Sequence, residues 1–352
     1  MPLESQRGTI TIELMNPSVF TNTGMLMLLG LGLLFAFSNG YRDASSIVAT
    51  VVSTRTLTPN AAFLLSALFE FLGALLIGSA VASTVSARVT GEGWHPSPHD
   101  VLTTSIVALC AAGAWGFISW LRAWPTSNGH ALLGALTGAG LATWGSAHVQ
   151  NKTVFFIVLV LIISPLIGFV VSLLLTSLFR WMGGWLTTHA KPFADSLHVL
   201  SCLFVSCAHG SNDGQLILGV LLPVLGSAAL VQGEIPFSMR FSIAIALGLG
   251  VMLGGRRILK KIGLNFYRIQ NMQGLSAEFS TAGTVLACGL TGFPSSTTQV
   301  IAGSIMGAAA ATNARRARWS VAQEIALSWI VTFPMAALIA YGAARIVRMA
   351  GG

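Results

Sequence analysis

Residues 39–43 read Asn-Gly-Tyr-Arg-Asp, and residues 209–213 read His-Gly-Ser-Asn-Asp. Each stretch places an aspartate between two hydrophobic runs that are individually too short to cross a bilayer comfortably. Asp213 follows Asp43 by 170 residues. An ionisable side chain in an apolar segment costs about 3 kcal/mol on insertion scales, so it is expected to have a partner, a proton or a water-filled cavity.

A second motif is repeated at nearly the same spacing. Residues 125–128 read PTSN, with glycines at 134 and 138, and residues 294–298 read PSSTT, with glycines at 303 and 307. The two prolines are 169 residues apart. Duplicated halves with interrupted hydrophobic segments at matching places are typical of secondary transporters, whose sites lie near the bilayer midplane.

The composition predicts an all-α integral membrane protein. Hydrophobic residues make up 54% of the chain, charged residues only 9%, and the mean hydropathy is +0.76. Side chains of this kind do not cover a water-exposed surface. The net charge of +8 is expected to lie in loops that face anionic lipid. No basic patch is interleaved with aromatic residues, so nucleic acid is not an expected partner.

The chain divides into a polar tail (1–23), a first repeat (24–178), a linker (179–193) and a second repeat (194–352). Each repeat contains six hydrophobic elements. In the first half they cover 24–38, 43–57, 59–81, 101–121, 126–143 and 153–178. In the second half they cover 194–208, 213–229, 238–261, 275–292, 295–311 and 320–345.

Basic residues in the loops predict the orientation. Loops 82–100 and 144–152 carry two basic residues, whereas the corresponding loops 255–274 and 312–319 carry eight. Because cytoplasmic loops are enriched in Lys and Arg, the second-half loops are expected inside and the halves are expected to be inverted. The two elements around each aspartate then form one broken crossing. The pair around each proline adds no crossing, as a re-entrant hairpin, or two. Both termini are predicted outside a cell (inner) membrane that the chain crosses several times.

The proline motifs predict a site for an oxyanion. A helix that begins inside the membrane has N–H groups without intrahelical partners, and its dipole favours anions. Pro125 and Pro294 suit the first turn of such helices. The surrounding neutral donors suit a tetrahedral anion such as phosphate; they are Thr126, Ser127, Asn128, Ser295, Ser296, Thr297 and Thr298. Alternatively, these hydroxyl groups cap helices or bond to backbone carbonyl groups.

The aspartate motifs predict a coupling cation next to the anion. Asp43 and Asp213 repel an anion unless a cation lies between them, or unless they accept a hydrogen bond from protonated phosphate. Asn39, Asn212 and backbone carbonyl groups can complete oxygen ligation. The co-transported ion is H⁺, Na⁺ or a divalent metal, and no cofactor is expected. The alternative for Asp43 is a structural ion pair with Arg42.

Several other ionisable residues lie in apolar elements or beside the motifs. Glu70 and Glu278 occupy positions that do not correspond between the halves. Each either serves the site or forms a hydrogen bond between helices. His130 either contacts phosphate or bonds within its hairpin, and His209 occupies the position of Asn39 and can shuttle protons near neutral pH. His198 is interpreted as a loop or interface residue.

Three stretches resemble the inorganic phosphate transporter (PiT) family: Phe37–Pro59, Ala208–Val220 and FPSSTTQVIAGSIMG from Phe293. The resemblance implies a symporter with inverted halves and outward termini, often a dimer. It implies that phosphate binds Ser127, Asn128, Ser296, Thr297 and Thr298, and that the cation binds Asp43, Asn212 and Asp213. The chain departs from the family pattern at Arg42, Ser46, Gly129, His130 and Gln299.

Other classes of function fit less well. An intramembrane hydrolase built on Ser296, His209 and Asp213 lacks a GxSxG or HExxH motif, so the chain is not expected to be an enzyme. A channel or receptor has no need of two matched oxyanion clusters. Sulfate is the closest rival substrate, but it is fully ionised at neutral pH and offers no proton to Asp43 or Asp213. The sequence therefore predicts a phosphate symporter, with a sulfate permease as the alternative.

Overall fold

The computed structural model describes residues 23–76, 78–88, 96–182, 191–225, 235–254 and 269–350. Its regular elements are helices. In chain order they are α1 (Thr23–Ile47), α2 (Ala49–Ser53), α3 (Pro59–Leu76), α4 (Ala80–Arg88), α5 (Pro98–Leu121), α6 (Asn128–Trp144), α7 (Asn151–Met182), α8 (Lys191–Leu225), α9 (Phe237–Met252), α10 (Asn271–Thr291), α11 (Thr297–Asn313) and α12 (Trp319–Met349).

The length and hydropathy of the helices confirm the prediction of an all-α membrane protein. Among the described helices, five are long and apolar enough to span a bilayer: Thr23–Ile47, Pro59–Leu76, Pro98–Leu121, Lys152–Met182 and Trp319–Met349. Their outer faces carry large apolar side chains; on α7, Phe155, Leu166 and Leu174 are more than half exposed. An apolar outer surface of this kind suits lipid and not water.

Both aspartate motifs lie within continuous helices, so the predicted breaks at Asp43 and Asp213 are wrong. Helix α1 continues through residues 39–43 and ends at Ile47, and α8 continues through residues 209–213. The polar side chains find partners on neighbouring helices, so the backbone does not need to unwind around them. The first-half break instead falls at Val48, between α1 and the short helix α2.

The two halves pack against each other in a matched pattern. Helix α6 of the first half packs along α12 of the second, and α11 of the second packs along α7 of the first. A Cβ atom at Gly138 would lie 2.0 Å from the backbone oxygen of Ala337, and one at Gly307 would lie 2.0 Å from that of Phe169. The glycines after each proline motif therefore allow two helix backbones to touch.

The aspartate motifs take part in a second matched contact. A Cβ atom at Gly40 would lie 2.2 Å from the backbone oxygen of Leu247 on α9. A Cβ atom at Gly210 would lie 2.0 Å from that of Glu70 on α3. Each motif helix is thus pressed against a helix of the opposite half, which holds the motif side chains in the interior.

The proline motifs form the tips of two helical hairpins, α5–α6 and α10–α11. The N-caps of α6 and α11 are Ser127 and Ser296, both with extended backbone. Pro125 and Pro294 precede these caps by two residues, so the prediction that they lie in the first helical turn is wrong. A proline there ends the preceding turn and leaves the cap position to serine, which accepts a hydrogen bond from the helix.

Some predicted boundaries move, and some fall outside the described part of the chain. Helix α4 lies partly in the segment predicted as loop 82–100, and α3 ends five residues earlier than predicted. The tail residues 1–22, most of the linker (183–190) and residues 255–268 lie outside the described residues. The last segment contains most of the basic residues on which the orientation was predicted.

Candidate functional site

The tips of the two hairpins meet inside the molecule. The Nε2 atom of Gln299, in the first turn of α11, lies 3.2 Å from Nδ1 of His130, in the first turn of α6. Both side chains are buried. The N-termini of α6 and α11 therefore converge on one interior point, beside the aspartate motifs of α1 and α8.

Serine caps leave donors free at both N-termini. The Oγ atom of Ser127 accepts a hydrogen bond from the backbone N–H of His130 at 3.1 Å. The Oγ atom of Ser296 accepts one from the N–H of Gln299 at 3.4 Å. These two serines thus adopt the capping role that the sequence left open. The N–H groups of the first two positions in each helix have no intrahelical partner.

Two threonine hydroxyl groups are buried at the same place without a partner. Thr297 and Thr298 are each 2% exposed, and their Oγ1 atoms have no hydrogen-bond partner among the described residues. The Oδ1 atom of Asn128 is also buried without a hydrogen-bond partner. A buried polar atom without a partner costs about 1–3 kcal/mol, so these atoms suit a polar ligand. Thr126 and Ser295 are also buried at the tips.

Asparagine side chains join the tips to the aspartates. The Nδ2 atom of Asn128 donates to Oδ2 of Asp43 at 2.9 Å and also to Oδ1 of Asn39. The Nδ2 atom of Asn39 in turn donates to Oδ2 of Asp213 at 2.7 Å. This chain of hydrogen bonds links α6, α1 and α8, so it joins residues of both halves.

The second half ties its hairpin tip to its aspartate helix through an asparagine of that helix. The Nδ2 atom of Asn212 donates to Oδ1 of Asp213 at 2.7 Å and to the backbone oxygen of Ser295 at 2.8 Å. The backbone N–H of Ser295 donates to Oδ1 of Asn212 at 3.1 Å. Asn212 therefore fixes the tip of the α10–α11 hairpin to α8, just as Asn128 fixes the other tip to α1.

His209 lies between three carboxylates. Its Nδ1 atom is 2.5 Å from Oε1 of Glu70, and its Nε2 atom is 3.4 Å from Oδ2 of both Asp43 and Asp213. If Nδ1 donates its proton to Glu70, neutral His209 directs the Nε2 lone pair at the two aspartates. A proton or a metal ion is then needed among Asp43, His209 and Asp213, whose ligand atoms lie within 4.8 Å of one another.

Arg42 does not form the structural ion pair considered for Asp43. Within the described residues, the ion pair of Asp43 is with His209. The guanidinium group of Arg42 instead lies against Gly116 of α5, where a Cβ atom would be 1.8 Å from Nη1. Its Nε atom is buried without a partner.

Glu278 lies in a separate polar cluster away from the hairpin tips. Its carboxylate accepts hydrogen bonds from the hydroxyl groups of Thr50 and Ser201, and Nε2 of His198 lies 3.4 Å from its Oε2. His198 is fully buried in α8, so its interpretation as a loop or interface residue is wrong. Its position within an apolar segment was the available signal, because an ionisable residue at membrane depth indicates a site by default.

The fold and site define a multi-pass membrane protein with a buried site rich in neutral hydrogen-bond donors and carboxylates. Residues 39–340 match the model of the phosphate transporter family. The chain belongs to this family, as the resemblance predicted.

Two bacterial relatives match this chain over nearly their whole length. Each is described as a "probable low-affinity inorganic phosphate transporter". The protein from Rhizobium meliloti is 35% identical over 332 residues, which cover 91% of this chain and 96% of the relative. The protein from Bacillus subtilis is 32% identical over 324 residues, which cover 90% of this chain and 95% of the relative. A solved structure, "the sodium-dependent phosphate transporter", shares the fold with a TM-score of 0.82 and 24% identity, over 93% of this chain and all of that one.

Proposed function

We propose that this member of the phosphate transporter family is a secondary active symporter. It carries inorganic phosphate together with a coupling cation by alternating access to a site shared by both halves. Phosphate binds where the N-termini of α6 and α11 converge, and the cation binds beside it at the aspartates of α1 and α8.

The observation that carries the anion site is the pair of buried, unpartnered hydroxyl groups on Thr297 and Thr298. They lie in the first turn of α11, beside N–H groups that have no intrahelical partner. The hydroxyl group of Ser127 and the free N–H groups at the start of α6 supply further donors from the other tip. The Nδ2 atom of Asn128 already donates to Asn39 and Asp43. Neutral donors hold an oxyanion without a fixed positive charge, so the anion can also be released.

The cation site is supported by the carboxylates around His209. Asp43 and Asp213 lie next to the proposed anion site, where two unbalanced negative charges would exclude phosphate. A cation held by these carboxylates reverses that repulsion. The amide oxygens of Asn39 and Asn212, which the sequence suggested as further ligands, instead accept hydrogen bonds from Asn128 and from the backbone N–H of Ser295 in this conformation. Na⁺, H⁺ and a divalent metal carried with phosphate are all compatible with this donor set. The name of the related structure specifies sodium for that protein only.

Burial of the site supports alternating access. The proposed ligands are all buried, so the site is closed in this conformation and must open to load. The matched contacts between the halves support two repeats that rock against each other. We further propose that the repeats are inverted, that both termini face outward from the cell membrane, and that the protein forms a dimer.

Uptake into proteoliposomes tests this proposal. Labelled phosphate is supplied while Na⁺, pH and divalent-metal gradients are imposed one at a time, with sulfate as a competitor. We expect accumulation under at least one of these gradients and at most weak competition by sulfate. Asp213→Asn should reduce accumulation at least about tenfold, because it removes a charge that the cation requires.

The matched control is Glu324→Gln, which neutralises an exposed acidic residue of α12. It should accumulate phosphate like the parent. Equal accumulation by Asp213→Asn and the parent would remove the cation role from Asp213. Failure of every gradient to drive accumulation by the parent protein would contradict symport itself.

A further inference from the structure

The buried cluster around Glu278 is separate from the site proposed for phosphate. His198 and His209 lie on the same helix, eleven residues apart, which corresponds to roughly 16 Å along the axis. The cluster therefore lies nearer the end of the bundle at which α8 and α10 begin. It joins the two halves, because Thr50 belongs to α2 and its partners belong to α8 and α10.

Hydrogen bonds fix the protonation of one nitrogen of His198. Its Nδ1 atom lies 3.3 Å from Oδ1 of Asn271 and 3.3 Å from the hydroxyl group of Thr56. The amide orientation of Asn271 is set because its Nδ2 atom donates to Asp195. The hydroxyl group of Thr56 donates to the same Oδ1 atom at 2.9 Å, so both neighbours of Nδ1 are acceptors. Because Oδ1 of Asn271 can only accept, this arrangement favours a proton on Nδ1.

The other nitrogen of His198 then faces a carboxylate. Its Nε2 atom is 3.4 Å from Oε2 of Glu278 and has no hydrogen-bond partner among the described residues. In neutral histidine with Nδ1 protonated, Nε2 presents a lone pair. Directing that lone pair at an ionised carboxylate, with both groups fully buried, is strongly unfavourable unless a proton lies between them.

We propose that His198 and Glu278 form a proton-binding site that takes up one proton in each transport cycle. A proton from water forms an N–H bond at Nε2 of His198 and is shared with Oε2 of Glu278; its release restores the lone pair and the carboxylate. The site deepens the proposed symport, because it makes the proton a coupling ion in addition to any ion held at the aspartates.

The number of ligands favours a proton over a metal ion. One oxygen of Glu278 accepts a hydrogen bond from Thr50, which therefore directs a proton, not a lone pair, at the carboxylate. The other lies beside the hydroxyl group of Ser201, whose single proton is shared with the backbone oxygen of His198. Metal ions in proteins take four or more ligand atoms. A proton needs only the two atoms that face each other here.

The other titratable groups near the pair do not supply this proton. Among the described residues they are Asp195, which accepts from Asn271, and the thiol group of Cys202, which lies 3.8 Å from the backbone oxygen of Ile47. Arg55 follows α2 and is exposed.

Gly274 lets the imidazole ring of His198 lie on α10, since a Cβ atom there would be 2.6 Å from Nε2.

The binding of the proton can be measured without transport. Solid-state nitrogen NMR of the histidine-labelled protein in lipid reports the protonation of Nε2, and the His198 signal is the one missing from the His198→Gln spectrum. We expect a protonated Nε2 that titrates as a single site and does not respond to added Na⁺. An Nε2 that stays unprotonated at every pH, or a signal that shifts with Na⁺, would overturn the assignment.

Transport supplies the second readout. Internal pH and labelled phosphate are followed together in proteoliposomes, and the protons carried per phosphate are counted. His198→Gln and Glu278→Gln each offer an amide donor that replaces the shared proton, so each should carry one proton fewer. His99→Gln changes an exposed histidine and should match the parent. An unchanged number of protons per phosphate in folded variants would reject His198 and Glu278 as a coupling site. If the parent protein itself takes up no phosphate, the proposed symport is rejected instead.

Discussion

At the scale of single residues, the site contains polar groups that form hydrogen bonds with each other and polar groups that have no partner. The amide N–H groups of Asn39, Asn128 and Asn212 hold the aspartates and the hairpin tips. The hydroxyl groups of Thr297 and Thr298 are buried without partners. The asparagines are therefore expected to matter for the shape of the site, and the threonines for the affinity of the anion.

Thr297→Val and Thr298→Val should weaken phosphate binding without destabilising the protein. Each removes a hydroxyl group that donates to a charged oxygen, which is worth about 1.5–3 kcal/mol, or roughly a 10- to 100-fold rise in Kd. No hydrogen bond within the described protein is lost. Phosphate binding to the purified protein and its thermal unfolding in detergent measure the two effects.

Thr291→Val is the control, because Thr291 is exposed at the end of α10 and bonds to backbone carbonyl groups. It should leave Kd unchanged. Parent-like affinity in both site variants would mean that these hydroxyl groups do not touch the anion.

The sequence indicated which polar residues lie in the interior more reliably than it indicated their partners. It placed Asp43 and Asp213 at matched positions, and both are buried in the interior. It did not indicate that Asn39 would donate to Asp213, 174 residues away. That bond lets α1 remain helical, so the expected break at the motif is absent. His198 was missed because its partner, Glu278, lies on another helix.

At the scale of elements, the glycines of α6 and α11 hold the hairpins in place. The sequence showed glycines at the same spacing after each proline motif. In the structure these glycines let the backbone of α6 touch that of α12, and the backbone of α11 touch that of α7. The sequence could not show which helices would meet. A small residue permits a close approach without specifying the helix that approaches.

Gly138→Ala and Gly307→Ala should each destabilise the protein by about 1–3 kcal/mol, because the added methyl group would lie 2.0 Å from a backbone oxygen. Gly113→Ala and Gly283→Ala are matched controls in α5 and α10, where an added Cβ atom has no neighbour within 4 Å. The controls should be neutral or stabilising by up to about 1 kcal/mol.

Unfolding in detergent, followed by heat or denaturant, measures all four variants. If the two hairpins play equivalent parts, the Gly138 and Gly307 variants should lose stability to a similar extent. A loss confined to one half would show that the matched contacts differ in energy, and controls as unstable as the test variants would remove the packing explanation.

At the scale of the whole molecule, the two halves build one interior site. Each hairpin tip is tied to an aspartate-motif helix by an asparagine, and each motif helix lies against a helix of the opposite half. Movement of one half relative to the other must therefore change the site directly. In the proposed symport, we expect this geometry to couple the binding of ions to the opening of the site.

The most direct test of the central claim is to locate the bound oxyanion. Crystals grown with arsenate, a tetrahedral relative of phosphate, give an anomalous signal at the arsenic position. We predict one peak at the junction of the α6 and α11 N-termini, placed so that the arsenate oxygens accept hydrogen bonds from the Thr297 and Thr298 hydroxyl groups. A peak elsewhere in the protein, with the hairpin junction empty while arsenate competes with phosphate for uptake, would contradict the account.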